Sequence, residues 1–288
     1  MDLTALIEVA RAARRFDPRH YLPFHVAARQ VGWIAPRLAE RLEPMAEVFL
    51  VGDFGVALHP DLVEPQARTE ALDRAVEMLA AEGWILGVRH ERYAIRERFD
   101  AAPLFAIERA AARPFGLTTF AAHVNGLTRR ADGTVEMWIA RRSPTKPIDP
   151  GMLDNLVGGG IAAGHTVTQT VVRECFEEAG ILEPLARKAQ PAGLVRLLRE
   201  VPEGVQSEVI FVHDLWLPPD LSPRNTDGEV SEFHRVEFRS LPRRIVDGDP
   251  FTLDSALVIL DCLIRHGVIG PDDQGYEALV AGLREAPR

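Results

Sequence analysis

The stretch that most constrains this chain is GGGIAAGHTVTQTVVRECFEEAGI, residues 158–181. Its three consecutive glycines predict a turn, because glycine adopts backbone conformations that other residues avoid. Thr166, with Gln169 three positions later, has the capping-box pattern, which predicts that a helix begins just after Thr166. A glycine-rich turn therefore leads directly into a capped helix.

The last two turns of this helix carry three acids, Glu174, Glu177 and Glu178, within roughly 100° of one another around the axis. The opposite side is apolar and is predicted to be the buried stripe: Val172, Cys175, Phe176 and Ala179. Like charges at spacings of three and four repel one another, and the negative end of the helix dipole disfavours them further. A cation bound between the carboxylates would relieve both effects.

The chemistry of these ligands favours Mg²⁺ or Mn²⁺ over zinc, because carboxylates are hard oxygen donors. Magnesium held by a few carboxylates commonly completes its shell with water and substrate phosphates. The pattern therefore predicts metal-assisted attack of water on a phosphoanhydride. A solvated acidic helix face explains the helix alone equally well, whereas the glycine turn, the cap and the Arg173–Glu174 pair favour the metal site.

The stretch resembles the Nudix box, G-x5-E-x7-R-E-U-x-E-E-x-G-U, in which U is a bulky aliphatic residue. With Gly159 as the first glycine, Arg173 and Gly180 fall on the arginine and the second glycine. The resemblance implies divalent-metal ligands at the three acids and at the Gly158 main-chain carbonyl. It also implies that Arg173 orients one of the glutamates.

Two positions depart from the pattern. His165 replaces the first glutamate, and Cys175 replaces an aliphatic residue. Cysteine packs as a small hydrophobe, but neutral imidazole is a poor partner for magnesium. We expect His165 to weaken the chemistry without removing it, since the three strongest ligands are retained.

The flanking sequence narrows the resemblance to one subgroup. WIARRSPTKPIDPGMLDNLVGGGIAAG, YLPFHVAARQVGWIAP, FAAHVNG, DGEVSEFHRV and SALVILDCLIRHGVI are similar to the Nudix subgroup related to thiamine pyrophosphokinase. The resemblance covers nearly the whole chain and implies an α/β/α sandwich with a mixed sheet, preceded by a smaller α+β domain. It also implies a small organic diphosphate as substrate, with conversion of oxidised thiamine diphosphate to the monophosphate as the specific candidate.

The composition changes near Arg113-Pro114, which predicts an N-terminal α+β domain over residues 1–112 and the Nudix hydrolase domain over residues 113–288. Helices are predicted at Leu3–Phe16, Pro36–Leu42, Thr69–Glu82, Pro103–Ala112, Leu253–Arg265 and Gln274–Arg284. Extended segments are predicted at Phe24–Ile34, Arg92–Phe99, Leu117–Arg129, Thr134–Arg142, Glu208–Leu217 and Glu232–Phe238. Strands interleaved with helices put the second domain in the α/β or α+β class. The role of the first domain stays open, because it shows no catalytic constellation.

Substrate contacts are predicted from residues near the glycine turn. Arg142 and Lys146 flank its entrance and are candidates to hold a terminal phosphate, although ordinary surface cations are the more frequent case. His123 and Asn125 share a strand face and are candidates to contact a base or pyrimidine ring. For His123 a structural role is the stronger alternative, and Trp138 is predicted to be core.

A further metal ligand or water-activating group is expected from the polar loop NTDGEVSEF. Its acids are Asp227, Glu229 and Glu232, and Glu229 is the favoured candidate. A simple turn explains Asp227, because Asp-Gly is a common turn pair.

The net charge of −9 and a pI of about 5.5 argue against a nucleic-acid partner. An apolar run of roughly 18 residues, which a membrane span needs, does not occur, so a cytoplasmic protein is expected. Cys175 and Cys262 have no metal-ligand spacing and are predicted to be structural. The sequence leaves the oligomeric state open and allows a homodimer.

Two other functions are compatible with parts of the sequence. Gly158, Gly160 and Ala163 satisfy the dinucleotide pattern G-x-G-x-x-A, which is weak alone. A Rossmann helix also has little use for three adjacent acids. The second alternative is a catalytically silent Nudix module that binds a nucleotide or a partner, and His165 is the residue that favours it.

Overall fold

The computed structural model describes residues 1–248 and 250–284. Its helices are α1 (Thr4–Ala12), α2 (Pro36–Leu42), α3 (Pro65–Ala81), α4 (Val167–Ala179), α5 (Glu183–Ala186), α6 (Leu241–Asp247), α7 (Leu253–Arg265) and α8 (Tyr276–Arg284). Its strands are β1 (Leu22–Val26), β2 (Arg29–Ile34), β3 (Phe49–Gly52), β4 (Gly55–Leu58), β5 (Arg92–Ile95), β6 (Phe105–Glu108), β7 (Thr118–Arg129), β8 (Val135–Arg142), β9 (Leu153–Asp154), β10 (Val157–Gly160), β11 (Gln190–Val201), β12 (Gly204–Trp216) and β13 (Val230–Glu237).

The larger part of the molecule is an α/β/α sandwich around a mixed sheet, as predicted. The strand order is β11-β12-β7-β8-β13, with β10 paired to β7 and β9 to β8. Strand β7 lies parallel to β12 and antiparallel to β8 and β10. Helix α4 packs through Val171, Cys175 and Ala179 on one face, and α7 and α8 cover the other.

The smaller N-terminal part is α+β, also as predicted. A four-stranded sheet of order β2-β1-β4-β3 and the β5–β6 hairpin pack with α2 and α3 around their own core. Aromatic side chains dominate its centre, since Phe24, Phe49, Phe105 and Phe115 are at most 1% exposed. This domain therefore has the separate hydrophobic core that an independent folding unit requires.

The first helix does not pack with that domain. Leu3, Leu6 and Ala10 of α1 and its flank are buried in the core that α7 and α8 form on the sandwich. The chain after α1 extends this contact, because the Leu198 N–H donates to the Ala13 carbonyl at 2.9 Å. The domain boundary near residue 113 stays a prediction, and residues 249 and 285–288 of the second domain lie outside the described residues.

Several predicted elements are confirmed. Helices α2 and α7 begin and end at the predicted residues, and β7 and β8 form the predicted hairpin. The Thr166 side chain accepts from the Gln169 N–H at 3.2 Å, so the capping box is present. None of the helices within residues 1–248 and 250–284 is both long and apolar enough to cross a membrane.

Other predictions were wrong. Residues 103–112 form strand β6 and a short 3₁₀ turn instead of a helix, because Phe105 and Ile107 alternate inward and pair with β5. The segment Phe24–Ile34 is a hairpin, broken where Ala27 takes a φ of 52°. Strands β3, β4 and β11 were not predicted.

Candidate active site

The three glycines are extended and paired with β7 as strand β10, instead of forming the predicted turn. Each glycine allows a close approach. A Cβ on Gly159 would lie 2.4 Å from the Glu174 carboxyl carbon, and one on Gly158 would lie 2.8 Å from the His123 ring. A Cβ on Gly160 would lie 1.9 Å from the Tyr93 hydroxyl. Since real Cβ atoms do not approach so closely, any side chain on β10 would displace its neighbours.

Helix α4 presents a different face to the protein from the one predicted. Phe176 is 50% exposed and Val172 is only partly buried, whereas Glu174 and Glu178 are 8% and 6% exposed. The correction follows from the rotation of the helix, which turns Val171 into the core. Two acids of the box are therefore buried against the glycine strand instead of facing solvent.

Burial raises the pKa of Glu174 to about 7, with Glu177 adding to the shift and Arg173 opposing it. Burial also raises the pKa of Glu178 well above its usual range, and the nearby Glu174 adds to it. Glu178 accepts a hydrogen bond of 3.0 Å from the Gly158 N–H, a neutral donor. Because burial outweighs the neighbouring cations Arg173 and Lys146, both carboxylates favour the neutral form unless a further cation binds.

Arg173 contacts two acids of the box, Glu174 and Glu177. Its Nη2 donates to Glu174 Oε1 at 2.5 Å, and its Nη1 lies 3.7 Å from Glu177 Oε2. The Glu177 side chain is 42% exposed. Arg173 thus contacts one of the glutamates in the manner expected for an orienting residue.

The donors at this site suit a hard divalent cation. Glu174 and Glu178 offer carboxylate oxygens, β10 offers backbone carbonyls, and the missing Cβ atoms leave these donors within reach. The ligand atoms of the three acids do not all lie within 4.8 Å of one another, so their side chains have to move before all three can hold one ion. The residues present fit such an ion.

Within the described part of the chain, three potential metal ligands lie within 4.8 Å of one another at a different place. They are Asp214, Cys262 and His266. Both oxygens of Asp214 are already bound by the Arg265 guanidinium. Burial raises the pKa of the Cys262 thiol, with Asp214 adding to the shift. This cluster is therefore an internal ion pair with a protonated thiol.

The polar loop between β12 and β13 reaches the end of α4. The Thr226 and Arg224 N–H groups donate to the Glu177 and Ala179 carbonyls at 3.0 and 2.9 Å. These contacts satisfy carbonyls that have no partner within the helix. Docking of the loop places Glu229 beside the loop that follows β8, where the Ser143 N–H donates to the Glu229 carbonyl at 2.8 Å.

Glu229 is close enough to Glu174 to raise the pKa of that carboxyl, and it pairs with cations from two other segments. Lys146 forms a salt bridge with Glu229, and Arg89 Nη1 lies 3.8 Å from its Oε1. Burial acts to raise the pKa of Glu229, but the Lys146 hydrogen bond and the nearby arginines lower it below its usual value. Asp227 accepts from the Glu229 N–H at 2.9 Å as a turn acid, and Glu232 is exposed.

The two cations predicted to hold phosphate differ in how they are used. Arg142 donates to Asp154 at 2.9 Å and to the Ile148 and Asp149 carbonyls, so its guanidinium holds together the loop that follows β8. Lys146 is 12% exposed at its side chain and belongs to the Glu229 cluster.

His123 and Asn125 belong to a buried hydrogen-bond network. His123 Nδ1 lies 2.9 Å from Asn155 Oδ1, and Asn155 donates to Asn125 Oδ1 at 2.9 Å. Asn125 donates in turn to Asp214 at 3.1 Å and is fully buried. Both side chains therefore support the strand beneath Gly158.

His165 is exposed on the turn that follows β10. Its backbone N–H donates to the Ala162 carbonyl at 3.0 Å, which closes the turn before α4. The imidazole thus lies at the surface, whereas Glu174 and Glu178 are buried.

Three residues of the N-terminal domain also lie at this site and were not predicted from the sequence. Tyr93 contacts Gly160, Arg89 approaches Glu229, and Arg109 lies close enough to lower the pKa of Glu174. No local motif marks these residues, because they reach the site only when the two domains pack together.

Comparisons with known proteins find family matches for both parts of the chain. Residues 119–253 match the NUDIX domain, and residues 4–119 match a domain of unknown function, DUF4743. The chain is 37% identical to Nudix hydrolase 24, chloroplastic, and 35% identical to Nudix hydrolase 20, chloroplastic, both of Arabidopsis thaliana. Each match covers 98% of this chain and 78% of the relative. The crystal structure of DR0079 from Deinococcus radiodurans is 24% identical, with a TM-score of 0.47, and the match covers 61% of this chain and 100% of that one.

The full-length relatives are named hydrolases, which places this chain among the hydrolytic enzymes. With relatives this similar over nearly its whole length, the chain belongs to the Nudix hydrolase family. Nudix enzymes generally use a divalent metal.

Proposed function

We propose that this enzyme uses Mg²⁺ or Mn²⁺ to cleave a phosphoanhydride of a small organic diphosphate. The specific candidate is hydrolysis of oxidised thiamine diphosphate to the monophosphate. The observation that carries the proposal is the burial of Glu174 and Glu178 against β10, which raises both pKa values despite the nearby Arg173 and Lys146. A bound divalent ion supplies the missing charge.

The proposed metal ligands are Glu174, Glu177, Glu178 and the Gly158 carbonyl. The metal, when bound, lowers the pKa of a coordinated water and neutralises charge that develops on the phosphates. The glycine strand gives these ligands unobstructed access, and the Arg173 guanidinium holds Glu174 by its Oε1.

Glu229 is the proposed base or additional ligand. Lys146 and Arg89 keep it ionised at neutral pH, because they lower its pKa. An ionised carboxylate within range of Glu174 suits either role, provided that Lys146 releases it when a phosphate arrives.

A substrate screen tests this proposal. The panel is oxidised thiamine diphosphate, ADP-ribose and nucleoside diphosphates, each with Mg²⁺, Mn²⁺ or EDTA, with phosphate and monophosphate release as readouts. We expect metal-dependent release from at least one diphosphate, with oxidised thiamine diphosphate the most efficiently cleaved. Binding without release on every substrate would support the silent module instead, and release unaffected by EDTA would refute the metal assignment.

The cytoplasmic location, a homodimer and the absence of nucleic-acid or membrane partners stay predictions. Size-exclusion chromatography with light scattering tests the oligomeric state directly.

A further inference from the structure

The N-terminal domain lies directly on the catalytic strand. The Ala163 N–H donates to the Arg92 carbonyl at 2.8 Å, which joins the segment after β10 to β5. Tyr93, the next residue of β5, touches Gly160 so closely that a Cβ there would lie 1.9 Å from its hydroxyl. This domain therefore forms part of the wall around the Nudix box.

Two arginines of the domain reach the acids of the site. Arg89 Nη1 lies 3.8 Å from Glu229 Oε1, whereas Lys146 contacts the other oxygen, Oε2. Arg109 interacts electrostatically with both Glu229 and Glu174. Together with Lys146 they place three cations around one carboxylate, an arrangement that favours binding of a further anion.

Both arginines retain the exposure and the charge that a ligand needs. The side chains of Arg89 and Arg109 are each 37% exposed. Arg109 donates to Glu91 through Nη1 at 2.7 Å, which fixes the orientation of its guanidinium. A guanidinium carries five N–H donors in a planar fork that matches a phosphate. Arg109 stays charged, because a guanidinium is protonated at any ordinary pH, and the Glu91 hydrogen bond and the Glu229 charge raise its pKa against the opposing effect of burial.

We propose that Arg89 and Arg109 bind the substrate's terminal phosphate together with Lys146, so that the N-terminal domain supplies two of the three cations of the phosphate site. This inference rests on the proposed diphosphate hydrolysis and assigns that domain a substrate-binding role. Without substrate, Glu229 forms a salt bridge with Lys146 and lies 3.8 Å from Arg89, and the phosphate takes over these ion pairs when it binds. Arg142, which was predicted to do this from the sequence, is instead committed to its own loop.

The expected effect follows from the strength of charge-assisted hydrogen bonds. Each typically contributes about 1.5 to 3 kcal/mol, which corresponds to roughly 10- to 100-fold in affinity. Because the arginines are partly exposed, we expect the lower end of that range for each one.

The test uses the full chain and methylenediphosphonate, a diphosphate that is not hydrolysed. Arg89→Ala and Arg109→Ala are compared with wild type by isothermal titration calorimetry, in the presence and absence of Mn²⁺. Arg41→Ala is the matched control, since Arg41 lies in the same domain and forms a comparable ion pair with Glu82. Melting temperatures establish that each variant is folded, and Arg89→Ala gives the independent answer if Arg109→Ala is unstable.

We expect each variant at the site to bind the probe about tenfold more weakly, with Arg41→Ala unchanged. On a cleaved substrate, KM should rise more than kcat falls. Mn²⁺ affinity, measured by electron paramagnetic resonance, should stay the same or increase, because a cation competing for Glu229 is gone.

Wild-type probe affinity in Arg89→Ala would overturn the inference, as would a loss of Mn²⁺ binding with unchanged probe affinity. The second result would mean that the arginines only position Glu229. Failure of wild type to hydrolyse any diphosphate would instead refute the proposed function, so the two failures are distinguishable.

Discussion

Glu178 illustrates how much depends on a single buried carboxylate in this enzyme. Glu178 is 6% exposed, and it accepts a hydrogen bond from the Gly158 backbone N–H, which carries no charge. Burying an ionised carboxylate without a partner costs several kcal/mol. A folded chain that keeps such a residue in this position gains a strong preference for a cation there.

Glu178→Gln tests that preference. Glutamine keeps an oxygen that accepts from Gly158 but carries no charge, so we expect metal binding to fail while the fold persists. The value of kcat/KM should fall more than about 100-fold, since even outer-shell partners of metal ligands contribute 10- to 100-fold. The melting temperature without metal should stay equal or rise, because the burial penalty is removed. Steady-state kinetics and calorimetry check both effects.

The matched control is Glu183→Gln, which alters an exposed glutamate paired with Arg187 on α5. It should leave kcat/KM and metal affinity unchanged. Turnover by Glu178→Gln at the wild-type rate would show that the metal assignment is wrong.

For His165 we expect a substitution to have little effect on activity, in contrast to Glu178. Because its side chain is exposed, restoring the glutamate of the box by His165→Glu should change kcat/KM less than about fivefold, since exposed charges rarely contribute more than about 1 kcal/mol. The measurement is a comparison of kinetics at several Mg²⁺ concentrations. A gain of two orders of magnitude would mean that residue 165 turns inward when metal binds.

The residues of the box could be found from the sequence because their spacing is a local property. The capping pair at Thr166 and the acids at 174 and 178 needed no knowledge of the remaining chain. The rotation of the helix was misjudged, because Val171 and Val172 are equally apolar and the sequence does not say which one faces the sheet. Arg89 and Tyr93 could not be found at all, since only domain packing brings them to the site.

At the scale of elements, strand β10 shows why this site needs glycine. The strand lies between Glu174 on one face and His123 and Tyr93 on the other, and each approach leaves no room for a Cβ. The need is for space, since the positive-φ glycine of this region is Gly164, in the turn that follows. The strand therefore lets the side chains on both of its faces lie directly against the backbone.

Gly159→Ala should disable the site through sterics alone. The new methyl group would lie 2.4 Å from the Glu174 carboxyl carbon, so that side chain has to leave its position beside Arg173. We expect a loss of at least about tenfold in kcat/KM, because small displacements in an active site commonly cost this much or more. Kinetics and Mn²⁺ affinity are the measurements. Gly270→Ala is the control, as a Cβ there meets open space, and equal activity of the two variants would contradict the steric argument.

Elements with strong local signals were predictable, and those defined by partners were not. Helix α7 has a continuous buried stripe, and α2 begins at Pro36. The bounds of both helices were therefore predicted correctly. Strand β6 was mistaken for a helix, because its four residues form a strand only through pairing with β5. Strand β11 was missed since its pattern is interrupted by a bulge near Gly193.

At the scale of the whole molecule, α1 crosses from the first domain to the core of the second. Leu3 and Leu6 are 0% and 2% exposed within the α7–α8 layer. A fragment of residues 113–288 should therefore fold poorly, since large buried side chains each contribute about 2 to 5 kcal/mol. Circular dichroism melting of that fragment, alone and with residues 1–17 fused to it through a flexible linker, checks this. A fragment without α1 that melts like the full chain would show that the helix is dispensable.

The pH dependence of stability unites the site with the whole fold. A carboxylate whose folded pKa lies above its unfolded value stabilises the fold at low pH, and that contribution is lost as the pH rises through the folded pKa. For Glu174 the window runs from about 4.5 to about 7, and the full shift corresponds to on the order of 3 kcal/mol. Asp17 and Asp214 have lowered pKa values and titrate below this window, whereas His213, with a lowered pKa, opposes the trend.

We therefore expect the metal-free protein to lose stability between pH 5 and pH 8, and Glu174→Gln to lose less, because glutamine does not titrate. Since the metal binds ionised carboxylates, Mg²⁺ or Mn²⁺ should stabilise wild type strongly at pH 8 and weakly at pH 5. Urea unfolding measures the free energy of unfolding at pH 5 and at pH 8, each with and without metal. An equal metal effect at the two pH values would mean that the buried carboxylates are not the groups that bind the ion, whereas a difference abolished by Glu174→Gln would link ion binding to proton release at this one side chain.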